Sequence, residues 1–240
     1  MIIREMLNSI WGQDYINRLP EFVKERGFVY SINSSQKDIL ITGINPSFRK
    51  DADLISSGFD FQNTLRDEKW DNYWSPIIKI VYDRDNNVDL KRRSAYLDIF
   101  YFREKEQKEL KNGILKSPTG VRFLVDQLKI TQYVIEEIIK PKVIVVKNKE
   151  SAAYWGKLAE QGIVWMGYQL DYIQSLVCGE IYKISGLLNS KERIAPELND
   201  TNLKGSFILF SQHINQYTKT EKRPTAVLLN KLLEKYYRLE

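Results

Sequence analysis

Four short apolar runs constrain the fold of this chain more than any other feature of its sequence. They are DILITGI (38–44), AYLDIFYF (95–102), KVIVV (142–146) and SFILFS (206–211), with a weaker run, EIYKISG, at 180–186. Short runs that are nearly continuous in apolar and β-branched residues are typical of strands buried on both faces. The sequence therefore predicts a central, mostly parallel, four-stranded sheet.

Segments with helical periodicity alternate with these runs. They are YINRLPEFVKERG (15–27), LVDQLKITQYVIEEIIKP (124–141), ESAAYWGKLAEQG (150–162) and PTAVLLNKLLEKYYRL (224–239). In the last one, Leu229, Leu232, Leu233 and Tyr236 fall on one face. Strands that alternate with helices indicate a parallel sheet covered by helices on both faces. We therefore expect an α/β protein with a three-layer α/β/α sandwich.

The composition is that of a single globular domain. The 240 residues are 43% hydrophobic and 28% charged, which is enough for one core without disulfides. We expect one domain over residues 1–240, with a helical extension over about residues 1–37. A net charge of +5 is compatible with a polyanionic partner but does not by itself identify one.

Several classes of site and location are disfavoured by the sequence. Cys178 is the single cysteine, so one chain cannot form a disulfide or a cysteine-based zinc or iron–sulfur site. Charges at Arg4, Glu5 and Asp14 leave no apolar signal-peptide region, and no apolar run reaches the roughly 18 residues of a membrane helix. We expect a cytoplasmic protein with no membrane contact.

Polar residues stand at the ends of three predicted strands. Asn45 follows the first strand, Asp98 interrupts the second, and His213, the single histidine, follows the last. Parallel strands share one carboxyl edge, where open α/β sheets bind their ligands, so the sequence predicts a site there. A second interpretation makes Asn45 a helix N-cap, with Pro46 at the first helical position.

Three motifs resemble those of the uracil-DNA glycosylase superfamily. GINPS (43–47) followed by GFDF (58–61) is similar to the opening motifs of its mismatch-specific and single-strand-selective branches, Gly-x-Asn-Pro-Gly and Gly-Phe-x-Phe. IKPKVIVVKNKESAAYW (139–155) resembles the later helix, proline, strand and lysine-containing turn. FSQHINQY (210–217) stands where the family has His-Pro-Ser-Pro. The resemblance spans about residues 38–217.

This resemblance implies a glycosylase that works without metal or cofactor. Asn45 would hold the attacking water through its amide, and His213 would donate a hydrogen bond to the departing base. Phe61 would stack on the extruded base. Asp98, Gly43 and Ile44 would complete the base-binding site.

DNA, single- or double-stranded and containing a damaged base, is the implied partner of a monomeric chain. Ser47, Ser211 and Gln212 would hold phosphates, and Ile214 or Tyr217 would enter the gap left by the base. The basic run Lys219, Lys222 and Arg223 would contact the DNA backbone, with Lys91 to Arg93 as a second candidate.

Departures from the family pattern favour a second function. Asp98 lies near the place of a base-reading asparagine, and an ionised aspartate offers only acceptors. It would repel uracil unless burial keeps it protonated or the ligand presents donors. The closing motif also lacks both prolines and the serine. One alternative is therefore a catalytically weak nucleic-acid or base-binding module. An unrelated α/β hydrolase is disfavoured, because no nucleophile-elbow pattern is present.

Overall fold

The computed structural model describes residues 2–32, 34–48, 56–67, 69–106 and 108–239. The α-helices are α1 (Ile2–Trp11), α2 (Glu21–Arg26), α3 (Phe61–Thr64), α4 (Trp74–Val81), α5 (Pro118–Tyr133) and α6 (Ala226–Leu239). The strands are β1 (Val29–Ser31), β2 (Ile39–Gly43), β3 (Ser57–Phe59), β4 (Tyr82–Asp83), β5 (Val88–Asp89), β6 (Ser94–Asp98), β7 (Val143–Val146), β8 (Tyr168–Leu176), β9 (Gly179–Leu187) and β10 (Phe207–Ser211).

The main sheet has six strands in the order β6-β2-β7-β10-β9-β8. The first four are parallel to one another, and β9 and β8 continue the sheet in antiparallel fashion. The four predicted strands are confirmed as these parallel strands, and the run at 180–186 belongs to β9. The predicted strand number of four is wrong for the whole sheet. It did not count β9, and it missed β8, whose mostly exposed residues mix apolar and polar side chains and give no continuous apolar run.

Alternate residues of the parallel strands enter two separate apolar clusters. Leu40 and Ile144 pack in a cluster with residues of α1 and α5. Ile39, Ile41 and Val145 pack in the other, with residues of α4 and α6. The sheet is therefore buried on both faces by helices, as its near-continuous apolar strands predict. The predicted stripe on α6 is confirmed, since Leu229, Leu232, Leu233 and Tyr236 are all buried.

Residues before β2 pack in the apolar cluster that contains Leu40 and Ile144. Leu7 of α1 and Val23 of α2 are completely buried there, although α1 was not predicted. The helix expected over residues 150–162 is wrong. That segment forms two short 3-10 helices, Lys149–Trp155 and Ala159–Gln161, separated at Gly156 by a left-handed φ of 105°.

Within the described residues, no helix has both the length and the apolar character needed to cross a bilayer.

Candidate functional site

The carboxyl ends of β2, β7 and β10 bring polar side chains together around one cavity. Asn45 follows β2, Lys147 follows β7 and His213 follows β10, and all three line a cavity of about 160 Å³. The other lining residues come from the same loop edge and from the start of α4: Ile44, Ser47, Tyr73, Glu104, Lys105, Glu106 and Asn148. Asn45 and His213 thus line one cavity at the predicted edge, with β7 between the strands that they follow.

Backbone pairing holds the Asn45 loop beside the chain that follows β6. The Phe48 N–H donates to the Glu104 carbonyl at 2.8 Å, and the Glu104 N–H donates to the Pro46 carbonyl at 3.2 Å. Ser47 and Glu104 form a parallel bridge, and residues 44–48 are not helical. The helix-cap interpretation of Asn45 and Pro46 is therefore wrong. The turn after β2 instead places Asn45 next to Glu104.

Glu104 is a functional candidate that the sequence reasoning missed. Its side chain lines the cavity, although the residue is only 4% exposed. One carboxylate oxygen accepts the Leu110 N–H at 3.0 Å, and the Asn45 side chain lies nearby on the cavity wall. Burial raises the pKa of Glu104 to about 7, although Leu110 and Asn45 both act in the opposite direction. A cavity carboxyl with this pKa can exchange a proton near neutral pH.

Lys147 is the second site residue that was missed. It is 4% exposed, and its ammonium donates to the Tyr73 hydroxyl at 3.0 Å. The Tyr73 and Tyr96 hydroxyls lie 2.5 Å apart, and Tyr96 donates to the Asp98 carboxylate at 2.8 Å. A chain of hydrogen bonds, which we call the Lys147–Asp98 relay, therefore runs from the cavity into the interior. It fixes Lys147 in the wall of the cavity that Asn45 and His213 also line.

Asp98 lies at the inner end of this relay and does not line the cavity. Its placement differs from the base-reading position that the resemblance implies, because its carboxylate faces the Tyr96 hydroxyl and the backbone of Gly43. A Cβ atom added to Gly43 would lie 1.9 Å from Asp98 Oδ1 and 2.6 Å from Tyr96 Oη. Burial raises the pKa of Asp98 to about 6, with Lys147 and Tyr96 opposing the shift. Gly43 is accordingly needed for the relay.

His213 lines the cavity while part of the residue stays exposed to solvent. Partial burial lowers the pKa of its imidazole, and the positive charge of Lys147 lowers it further. The ring is therefore mainly neutral at pH 7, with one N–H donor and one acceptor nitrogen. This is the protonation state that the predicted hydrogen bond to a base requires.

Phe61 and Ile214 are placed in the core, and their predicted contacts with DNA are corrected accordingly. Phe61 is 3% exposed and packs against Trp74 and Tyr96, away from the cavity. Ile214 is 1% exposed and belongs to the same apolar cluster. Neither side chain can reach a base without leaving the core. Tyr73 is the aromatic residue that lines the cavity instead.

The predicted DNA-contacting residues divide into exposed and buried ones. Ser47, Tyr217, Lys219 and Lys222 are exposed, with Tyr217 at 84%. Ser211 is buried, so its predicted phosphate contact is not supported.

Two of the remaining side chains hold the loop that follows His213. The Gln212 amide donates to the Lys222 carbonyl at 3.3 Å. The Arg223 guanidinium donates to the carbonyls of Asn215 and Gln216 at 3.1 and 3.2 Å. The basic surface near His213 therefore consists of Lys219 and Lys222, with Arg223 engaged inside the loop.

Comparison with known proteins does not identify a family, so the functional evidence comes mainly from the site geometry. No protein-family model matches the chain, and no curated protein matches its sequence significantly. Among the residues that the structure describes, no cluster of three or more His, Cys, Asp or Glu side chains is arranged to hold a metal ion.

Proposed function

We propose that this protein is a DNA glycosylase of the uracil-DNA glycosylase superfamily. It would hydrolyse the bond between deoxyribose and a deaminated or damaged base, as in base-excision repair. One observation carries the proposal. Asn45 and His213, which the motif resemblance assigns to catalysis, line the same cavity. Lys147, which follows the strand between β2 and β10, lines it as well. Helices packed on both faces of the sheet support the three-layer α/β/α arrangement implied by the same resemblance.

The cavity suits a single base better than a larger ligand. Its volume of about 160 Å³ is below the roughly 300–1,000 Å³ of pockets that take drug-sized molecules. Tyr73 supplies an aromatic surface in its wall, and an aromatic side chain can replace the stacking that a flipped base loses. A flipped pyrimidine is the ligand class that these dimensions favour.

The charges in the cavity fit the charge changes of glycosidic hydrolysis. Positive charge develops on the sugar and negative charge on the leaving base. Asn45 positions the water that attacks the anomeric carbon. His213 and the Lys147 ammonium stabilise the anionic base, His213 through its N–H and Lys147 through its charge. The Lys147 ammonium is held in place by the Tyr73 hydroxyl before the reaction begins.

A second candidate function, a catalytically weak module that binds nucleic acid or a base, is favoured by one specific observation. The position that should stack on the base, Phe61, is buried in the core. The binding surface near His213 would still include Lys219, Lys222 and Tyr217, which are exposed. The glycosylase proposal has DNA as the partner of a monomeric, cytoplasmic chain, whereas the binding module would take nucleic acid or a base.

Base release from defined oligonucleotides separates these two functions. The purified protein is incubated, with chelator present, with single- and double-stranded DNA that contains uracil, hypoxanthine, xanthine or an oxidised pyrimidine. Alkaline cleavage then reveals abasic sites. The glycosylase proposal expects release from at least one substrate and none by Asn45→Ala. Binding to these oligonucleotides without release would favour the binding module.

A further inference from the structure

We propose that Glu104 is the general base of this site and acts on a water molecule held by Asn45. The inference rests on the proposed glycosylase function and adds a catalytic residue to it. It starts from a chemical gap, since an asparagine amide can orient a water but hardly takes its proton. The structure places a carboxylate directly beside that amide.

The contacts of Asn45 leave its amide oxygen for the water. Its Nδ2 lies 3.4 Å from the Phe102 carbonyl oxygen. The Asn45 side chain is also near enough to the Glu104 carboxylate to lower the pKa of that group. The amide oxygen, an acceptor, is the atom that can hold a water in the cavity, next to the carboxylate.

The position of Glu104 is fixed by its own loop. The carboxylate accepts the Leu110 N–H at 3.0 Å, and the Glu104 backbone pairs with Pro46 and Phe48 on both sides of Ser47. A rigid, mostly buried carboxylate at the cavity wall needs no rearrangement to receive a proton. These contacts provide a general base with defined geometry.

The charged groups around Glu104 leave it able to titrate near neutral pH. Glu109 raises its pKa and Arg26 lowers it, but these two residues also pair with each other at 2.8 Å. Tyr154 lies near Glu104; burial raises the pKa of Tyr154, and the charges of Glu150 and Glu104 raise it further. Lys147 and His213 contribute the remaining charged and titratable groups of the cavity, together with Lys105 and Glu106 of the same loop. The carboxylate form becomes predominant above pH 7, where it can accept a proton.

The step is balanced as follows. The water oxygen forms a bond to the anomeric carbon of the sugar, and one water proton moves to the Glu104 carboxylate. The bond between that carbon and the base nitrogen breaks, and its electron pair leaves with the base. The base, held by His213 and Lys147, takes a proton from solvent. Glu104 then returns its proton to solvent, so no other reactant is needed.

Single-turnover rates of base release against pH, from 5.5 to 9, test this assignment with Glu104→Gln. Glutamine keeps an acceptor for the Leu110 N–H but cannot take a proton. We expect a rate lower by roughly 10²–10³-fold and loss of the rise in rate centred near pH 7. Glu160→Gln, at an exposed position that does not line the cavity, is the control and should behave as the parent.

Each outcome decides the assignment. A Glu104→Gln protein with the parent's rate and pH profile would show that Glu104 is only structural, while leaving the glycosylase proposal standing. A parent that releases no base from any substrate would overturn both. If Glu104→Gln does not fold, Glu104→Asp replaces it: a reduced rate that still rises with pH supports the base, and an unchanged rate contradicts it.

Discussion

Replacing Asp98 by asparagine should remove a pH dependence of stability that the parent shows. Burial raises the pKa of Asp98 from 3.8 to about 6. Because the folded-state pKa is raised, the favourable contribution of this group is fully present below pH 3.8. It is lost as pH rises through about 6. The whole shift corresponds to about 3 kcal/mol, of which about 2 kcal/mol falls between pH 4.5 and pH 8.

The assay is urea unfolding of the parent and of Asp98→Asn at pH 4.5 and at pH 8. Other buried groups that titrate in this range, such as Glu104, are present in both proteins, so their contributions cancel in the difference. Asparagine can still accept the hydrogen bond from the Tyr96 hydroxyl. Any packing cost that does not depend on pH cancels when the stability difference is compared between the two pH values. We expect the stability difference, variant minus parent, to rise by about 2 kcal/mol from pH 4.5 to pH 8.

Two further variants make this test specific. Asp83 is partly exposed, and its hydrogen bonds with Asn86 lower its pKa, so it stays ionised in this range and Asp83→Asn should run parallel to the parent. Tyr96→Phe removes a donor that lowers the pKa of Asp98, so its transition should move to higher pH. Parallel parent and Asp98→Asn profiles would refute the burial of an ionisable carboxyl at the end of the Lys147–Asp98 relay.

The remaining predictions concern Gly43, Tyr217 and the basic surface beside His213. Gly43→Ala would push a methyl group into Asp98 and Tyr96, so the free energy of unfolding in urea should fall by about 1–3 kcal/mol. Gly162→Ala, whose added methyl group would have no atom closer than 4.0 Å, should leave that free energy unchanged. Equal losses would contradict the close packing. Tyr217→Ala should slow base release from duplex more than from single strands, because only a duplex has to be held open; equal effects would exclude a wedge. The double variant Lys219→Gln and Lys222→Gln should reduce the slope of log DNA affinity against log salt concentration by about 1–2, and Lys231→Gln, at another exposed lysine, is the control. An unchanged slope would place the DNA elsewhere.

The strands and the last helix could be predicted from the sequence because their patterns are local. VIVV and FILF are buried on both faces, and such runs have few other folded environments. The edge strand β8 could not be found this way, since most of its side chains are exposed. The 3-10 turns at 149–161 also escaped prediction, because Gly156 ends the first one where the helical pattern continues.

The candidate site was only half predictable, for a physical reason that differs from residue to residue. Asn45 and His213 follow directly from the shared edge of parallel strands, and the same rule could have found Lys147 after β7. Glu104 gives no such signal. It lies six residues beyond β6 and reaches the cavity only through backbone pairing with the Asn45 loop.

Phe61 shows the opposite failure. It matches a motif but is held in the core by Trp74 and Tyr96, whose contacts with it depend on tertiary packing. Local sequence could not distinguish an aromatic ring that stacks on a ligand from one that fills the interior.

The central claim, that Asn45 and His213 form one hydrolytic centre, is tested most directly by single-turnover base release. The parent, Asn45→Ala and His213→Ala are compared at saturating protein on the best substrate of the lesion panel. The account predicts release by the parent and a rate roughly 10²–10³-fold lower for His213→Ala, since a preorganised donor to the leaving base is lost. Parent-like rates in both variants, or no release by the parent from any lesion, would contradict it.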